Sequence, residues 1–291
     1  MTEKRAIDGF GATALIGFSA LLAFNQVVIK LTTAGIAPAA QAGFRSVGAV
    51  IVLLIWAYAR GIRFTVPRAA LGWGILSGFL FAFEFLCLFL ALDLTTVSRA
   101  SIIFYTMPVW LALAAHFLLP GERLTGIRIL GLALAVLGVV IAMGDRSNGQ
   151  ASLAGDILAL LGTLGWAAVA LMVRATPLSQ TAPVTQLMFQ VVISAPIMLA
   201  FAALSGPMIR DFEPVYLLSL AFQSICIASL GFLSWFWLLT IYRASSVASF
   251  AFLAPVLSVI LGWLVLGEHI GPLIWVALVM VATGIFLINR R

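Results

Sequence analysis

The stretch TMPVWLALAAHFLLPGE at residues 106–122 places a proline inside an apolar run and ends in a Gly-Glu pair. The stretch LAPVLSVILGWLVLGE at residues 253–268 repeats this pattern in the second half of the chain. A proline inside a helix removes one backbone hydrogen bond and crowds the carbonyl group four residues earlier. Matching bends are therefore predicted at Pro108 and Pro255, either as static kinks that help tilted helices to pack or as hinges.

The composition indicates an integral membrane protein. Hydrophobic residues make up 63% of the 291 residues and charged residues only 9%, whereas soluble domains carry about 25% charged residues. The net charge of +6 is spread singly between apolar runs, so a nucleic-acid partner is not expected. The two cysteines lie in apolar runs without a Cys/His cluster, so neither a metal site nor a disulfide is expected.

Ten apolar segments are each long enough to cross a bilayer, which takes about 20 residues. Each should be helical, because a backbone in lipid must satisfy its own polar groups. An all-α integral membrane fold with ten transmembrane helices is therefore predicted. The predicted spans are 11–29, 37–59, 70–92, 97–119, 125–143, 153–173, 184–204, 215–239, 246–266 and 270–288.

The chain contains an internal repeat. APAAQAGFR at 37–45 matches APVTQLMFQ at 182–190, and the two prolines and the two Gly-Glu pairs recur at nearly the same spacing. Two five-helix repeats, residues 1–146 and 147–291, are predicted. An odd number of spans per repeat inverts the second copy relative to the membrane. Inverted repeats around a central cavity are a recurring transporter architecture, with the substrate site near the midplane.

These features resemble the EamA family of the drug/metabolite transporter (DMT) superfamily and, within it, the YddG-type amino-acid exporters. The resemblance implies a central cavity lined by spans 1, 3, 4, 6, 8 and 9, with spans 5 and 10 behind it. It also implies a secondary transporter that exports small organic metabolites, above all neutral and aromatic amino acids with broad specificity, by alternating access. A bacterial inner-membrane location is implied with it.

The loops carry an orientation signal. With a cytoplasmic N-terminus, eleven Lys and Arg residues lie on the inside and four on the outside, and Arg45 lies within a span. Since basic residues favour the cytoplasmic side, both termini are predicted to be cytoplasmic. The chain has no GxxxxGK[ST] phosphate loop, so the substrate gradient or protons would supply the energy. A monomer without cofactors is expected.

Arg45 and Glu84 are the two opposite charges that lie deep in the predicted spans. They lie about 10 and 13 Å below the same predicted surface at 1.5 Å per residue. The residues at the matching positions of the second repeat are both uncharged. An intramembrane ion pair is therefore predicted. In the functional alternative, Glu84 binds a proton or the ammonium group of a substrate.

Six residues are predicted to line the cavity. An amide in the middle of span 1 can hydrogen-bond a carboxylate or an amine, and aromatic side chains in spans 3, 4, 6 and 8 can form its walls. For each aromatic residue, packing against lipid or neighbouring helices is the alternative. The six residues are Asn25, Phe83, Glu84, Tyr105, Trp166 and Trp235. Glu122 and Glu268 are interpreted as partners of the positive ends of spans 5 and 10.

Three alternatives to an amino-acid exporter were weighed. A membrane enzyme would need a metal cluster, an HExxH motif or a GxSxG elbow, and the sequence has none of them, so no catalytic residue is predicted. A channel usually has a ring of charges or carbonyl groups as its filter. A carrier of the same fold for drugs, organic cations or sugars remains open.

Overall fold

The computed structural model describes residues 7–119, 122–145, 152–242, 247 and 250–289. Apart from isolated bridge residues, among them Ile36 paired with Ile209, the regular structure of these residues is helical. The α-helices are α1 Gly9–Thr32, α2 Pro38–Ala59, α3 Arg68–Leu94, α4 Val97–Phe104, α5 Met107–Leu118, α6 Gly126–Gly144, α7 Leu153–Ala175, α8 Pro183–Ser205, α9 Val215–Phe222, α10 Leu230–Ile241, α11 Leu253–Leu266 and α12 Pro272–Asn289.

The predicted all-α membrane fold is confirmed. Within the described residues, nine apolar helical segments are long enough to cross a membrane, and α11 is a shorter apolar helix. Two of the nine are composite: α4 with α5, and α9 with α10 through the π-helical segment Gln223–Ile227. The start of the predicted span 246–266, Gly121 and the basic residues at both chain ends lie outside the described residues.

The repeated Ala-Pro pairs occupy equivalent structural positions. Ala37 and Ala182 are the residues that precede α2 and α8, and Pro38 and Pro183 are the first helical residues. Proline suits this position because its fixed φ fits a helix and the missing N–H would have no partner there anyway. The division of the chain into two inverted repeats remains a prediction that this local match supports.

Helices from the two predicted repeats pack against each other throughout the molecule. Helix α3 lies against α7 and α8, α2 lies against α8, and α1 lies against α11. The central core is rich in side chains of α3, including Phe81, Phe85 and Phe89. Helices α6 and α12, which correspond to the predicted spans 5 and 10, pack mainly on each other. Among the described residues, the seven other long segments and the shorter α11 are therefore left to surround the centre.

Glycines allow the close approach of α6 and α12. A Cβ atom on Gly284 would lie 2.5 Å from the carbonyl oxygen of Gly131 and 2.8 Å from the Cβ of Ala135. A backbone oxygen and a short side chain cannot move aside as the tip of a long side chain can. The contact therefore depends on the absence of a side chain at position 284.

Gly284→Ala should lower the free energy of unfolding by about 1–3 kcal/mol, because the added methyl group forces α6 and α12 apart. Thermal unfolding of the purified protein in detergent would measure the change. The matched control is Gly17→Ala in α1, where an added Cβ would meet no atom within 4 Å. Equal melting temperatures for the two variants would contradict the tight packing at Gly284.

Candidate substrate pathway

Three of the predicted cavity residues are buried polar side chains on helices that face the centre. Asn25, Glu84 and Tyr105 lie on α1, α3 and directly after α4. The hydroxyl group of Tyr105 accepts a hydrogen bond from Gln26 Nε2 (3.3 Å) and donates one to the carbonyl group of Leu22 (3.4 Å). Tyr105 therefore joins α4 to α1 in the middle of the membrane.

Several polar atoms around Tyr105 lack partners. The oxygens Asn25 Oδ1, Gln26 Oε1 and Ser101 Oγ are enclosed without a hydrogen bond. A buried polar atom without a partner is costly, and natural proteins retain few of them. These groups from α1 and α4 are available to a polar ligand or to water.

The aromatic residues predicted to line the cavity do not form one cluster. Trp166 stacks on Phe104 with ring centroids 5.1 Å apart and meets the edge of Tyr105 at 6.3 Å. Trp235 stacks on Phe18 of α1 at 5.1 Å. The structure thus brings Trp166 and Tyr105 together and places Trp235 at a separate contact.

Phe83 does not belong to the buried group. Its side chain is 44% exposed and lies beside Gly165 of α7. Consecutive residues of a helix point about 100° apart, so Phe83 is directed away from its buried neighbour Glu84. The structure therefore gives Phe83 the surroundings expected of a packing residue.

The direct ion pair predicted between Arg45 and Glu84 is not formed. Arg45 is 2% exposed and Glu84 is 3% exposed, and their charges interact, but the ion pairs among the described residues do not include them. The guanidinium group instead lies over the ring of Phe85, with Cζ 3.9 Å from its centroid, and near Phe89 at 4.9 Å. A planar guanidinium stacks readily on aromatic rings.

A fully buried ion pair occurs instead between Arg99 and Asp156, which the sequence did not suggest. Both side chains are 0% exposed. Arg99 donates to Asp156 through Nε (3.2 Å) and Nη2 (2.6 Å) and to the carbonyl group of Asp145 through Nη1 (2.5 Å). Arg99 lies two residues after the start of the predicted span 97–119 and Asp156 three residues after the start of the span 153–173. This similar depth is the signal that the sequence offers.

Glu268 connects the two predicted repeats. Its carboxylate accepts hydrogen bonds from the backbone N–H groups of Val97 (2.5 Å) and Ser98 (2.9 Å) and from the Ser98 hydroxyl group (2.5 Å). Gly267, with φ +64°, ends α11 in a left-handed turn that glycine adopts without strain. The predicted electrostatic role of Glu268 at a helix end is thus fulfilled at α4 rather than at the following helix.

Five loops meet on the side of the molecule that carries Glu268, which we call the Glu268 face. They are 33–37, 95–96, 206–214 and 267–271, together with the segment that begins at Asp145. Lys30 donates to the carbonyl groups of Asp93 (3.2 Å) and Thr95 (3.0 Å). Arg210 donates to the Thr33 carbonyl group (2.8 Å) and forms an ion pair with Asp93. The hydrogen bonds from Arg210 to the Asp93 carboxylate raise the pKa of Arg210, so its guanidinium group stays charged.

The opposite side of the molecule has fewer connections among the described residues. Glu122 forms an ion pair with Arg174 there, and the Tyr242 hydroxyl group donates to Asp8 (2.6 Å). Helix α4 packs on α11, whereas α5 packs on α7, α12 and α6. The composite span of α4 and α5 is therefore held against α11 at the Glu268 face only, as far as the described residues reach.

Pro108 and Pro255 both stand in the first turn of a helix. The helical path is interrupted at Tyr105 and Thr106, and α5 then starts one residue before Pro108. A turn at residues 250–252 likewise precedes α11 and Pro255. The Phe104 carbonyl group, which Pro108 leaves without its helical donor, accepts a bond from the Thr163 hydroxyl group (3.4 Å). Both prolines thus mark breaks in the helical path.

Comparison with known proteins identifies the class to which this fold and site belong. The sequence profile of the EamA-like transporter family matches residues 9–144 and again residues 153–290. The chain belongs to the EamA-like transporter family, and it is a multi-pass membrane transporter of the DMT type. The expectation that it is not an enzyme agrees with the transporter names of its relatives.

Two named relatives and one solved structure are informative. The chain is 28% identical to a "Probable amino-acid metabolite efflux pump" of Escherichia coli (strain K12) over 90% of this chain and 89% of that protein. It is 30% identical to the "Aromatic amino acid exporter YddG" of Ancylobacter novellus over 47% and 48% of the two chains. A crystal structure with a TM-score of 0.66 and 19% identity, covering 95% of this chain and 97% of that chain, shares the fold.

Proposed function

We propose that this transporter exports amino acids, chiefly neutral and aromatic ones, across the bacterial inner membrane by alternating access. The observation that carries the proposal is the buried group of unpartnered polar atoms beside aromatic rings, where Tyr105 joins α1 and α4 and Trp166 lies at its edge. Such a combination suits a small ligand that has polar groups and an apolar side chain.

The relatives support the choice of substrate class. One protein that aligns along most of the chain is named as an amino-acid metabolite efflux pump, and one that aligns along about half of it is named as an aromatic amino acid exporter. The export direction follows from these names alone. Drugs, organic cations and sugars remain alternative substrates for the same fold.

The uneven closure of the two sides supports alternating access. Polar contacts connect the loops of the Glu268 face, whereas among the described residues α5 on the opposite side packs mainly on α7, α12 and α6. Both termini are proposed to be cytoplasmic, which makes the Glu268 face the outer one and the structure a state closed to the outside. Pro108 and Pro255 would act as hinges, and the carrier would work as a monomer with or without proton coupling.

Counterflow of labelled amino acids into liposomes that contain the purified protein would test the proposal. Saturable exchange of phenylalanine, leucine and other neutral amino acids is expected. Flux that rises linearly with concentration would indicate a channel instead. An absence of exchange with every amino acid, in protein that is folded and monodisperse, would contradict the proposed substrate class.

A further inference from the structure

Arg45 and Glu84 present two unsatisfied, opposite charges inside the membrane. The Arg45 side chain makes no hydrogen bond or ion pair to any described residue, and its Nε is enclosed without a partner. Glu84 likewise makes none, and its Oε2 is enclosed. Charged side chains within a membrane normally pair with one another or with backbone carbonyl groups, and unpaired ones mark substrate or ion pathways.

In the same protein, the buried ion pair Arg99–Asp156, which has a structural role, is fully supplied with hydrogen bonds. Arg99 and Asp156 are buried at least as deeply, yet Arg99 makes three hydrogen bonds and Asp156 also accepts one from Thr95 (3.2 Å). Burial therefore does not by itself prevent pairing in this fold. The open bonding capacity of Arg45 and Glu84 is a local property of their site.

The two charges lie at similar depths and belong to neighbouring helices. Arg45 is seven residues after the start of α2 and Glu84 ten residues before the end of α3, which is roughly 10 and 15 Å from the same side at 1.5 Å per residue. The guanidinium group rests on Phe85, the residue next to Glu84. The two charges interact but are absent from the ion pairs formed among the described residues, so each keeps its bonding capacity.

Two further amide groups near Arg45 are unsatisfied. Both side-chain polar atoms of Gln41, one turn before Arg45 on α2, are enclosed without partners, and so are those of Gln223. Gln223 begins the π-helical segment, and Ser224 beside it donates to the Arg45 carbonyl group (3.2 Å). Single π-helical turns occur often at functional sites. Helices α2, α3 and the π-helical segment therefore contribute unpartnered polar groups to one region.

We propose that Arg45 and Glu84 form the two poles of a zwitterion site, in which Arg45 binds the carboxylate of an α-amino acid and Glu84 binds its ammonium group. This inference rests on the proposed amino-acid transport and adds the residues that recognise the backbone of the substrate. A guanidinium group binds a carboxylate through two parallel hydrogen bonds, and a carboxylate accepts hydrogen bonds from an ammonium group. The unpartnered amides of Gln41 and Gln223 complete the polar surroundings. The transported side chain is then free to vary, as broad specificity requires.

The experiment is competition in the counterflow assay with phenylalanine and two analogues. Phenylalaninamide keeps the ammonium group and lacks the carboxylate, and 3-phenylpropanoate keeps the carboxylate and lacks the ammonium group. The wild-type protein should prefer phenylalanine to both by at least about tenfold, because each analogue leaves one buried charge unpaired. Arg45→Gln should remove the preference over phenylalaninamide, and Glu84→Gln the preference over 3-phenylpropanoate. The control is Arg68→Gln, which removes an exposed arginine at the start of α3.

The outcomes separate this site from its alternatives. Exchange of phenylalanine by the wild-type protein with unchanged selectivity in both variants would overturn the zwitterion site and leave the proposed function standing. Absence of amino-acid exchange in the wild-type protein would overturn both. Recovery of exchange and selectivity in Arg45→Gln/Glu84→Gln would show a structural ion pair instead. If the single variants do not fold, the wild-type protein alone decides. Equal competition by phenylalanine, phenylalaninamide and 3-phenylpropanoate would overturn the proposal, and a tenfold preference for phenylalanine would support it.

Discussion

Asp156→Asn should lower the free energy of unfolding by about 3–5 kcal/mol, because it leaves the buried Arg99 guanidinium without its counter-charge. Arg99 is 0% exposed and donates two of its three hydrogen bonds to the Asp156 carboxylate. An amide of the same shape keeps the packing and removes the charge. Thermal or chemical unfolding in detergent would measure the loss.

The matched control is Asp93→Asn, which breaks the ion pair with Arg210 at the same side of the molecule. Arg210 is 41% exposed, so the expected loss is about 1 kcal/mol or less. Replacing both partners, Arg99→Met with Asp156→Leu, should recover much of the stability, because no uncompensated charge remains. If Asp156→Asn and Asp93→Asn destabilise equally, the pair is accessible to water and the buried interpretation is wrong.

The membrane fold could be predicted from the sequence because the bilayer fixes the length of each apolar segment. The predicted spans 11–29 and 153–173 lie within α1, Gly9–Thr32, and α7, Leu153–Ala175, and differ from them by at most three residues at each end. The predicted spans 37–59 and 184–204 likewise begin within one residue of the starts of α2 and α8. Composition and spacing thus determine where helices begin and end.

The pairing of charges could not be predicted, because sequence position gives depth in the membrane but not direction around a helix axis. Arg45 and Glu84 were matched by depth, and the structure shows Arg45 resting on Phe85 instead. Arg99 and Asp156 lie near the starts of the predicted spans 97–119 and 153–173, and their positions in the sequence do not indicate that they pair. Phe83 and Glu84 were both assigned to the cavity, although adjacent residues of one helix face different surroundings. The direction in which a side chain points around its helix axis acquires a meaning only when the helices pack, and a single sequence does not reveal that packing.

Glu268→Ala should open the Glu268 face. Its carboxylate holds Val97 and Ser98, at the start of α4, against the segment after α11 through three hydrogen bonds. In the proposed mechanism this contact breaks and reforms in every cycle. Each hydrogen bond to a charged group contributes about 1.5–3 kcal/mol, so the loss should shift the balance between the two states by at least about tenfold. Glu268→Gln should have a smaller effect and Ser98→Ala, which removes one of the three bonds, the smallest.

The shift can be measured with a cysteine at position 101 in protein whose Cys87 and Cys226 have been replaced by serine. Ser101 is buried in α4, one turn from the Glu268 contact. A membrane-impermeant maleimide added at the Glu268 face should label this cysteine faster in Glu268→Ala, while amino-acid exchange slows because the face no longer closes. The control, Glu213→Ala, removes an exposed carboxylate from a loop of the same face. Unchanged labelling in Glu268→Ala would mean that other contacts close the face. The face would then be held closed by bonds that Glu268 does not make. Lys30 and Arg210, which connect three of the same loops, would be the next residues to replace.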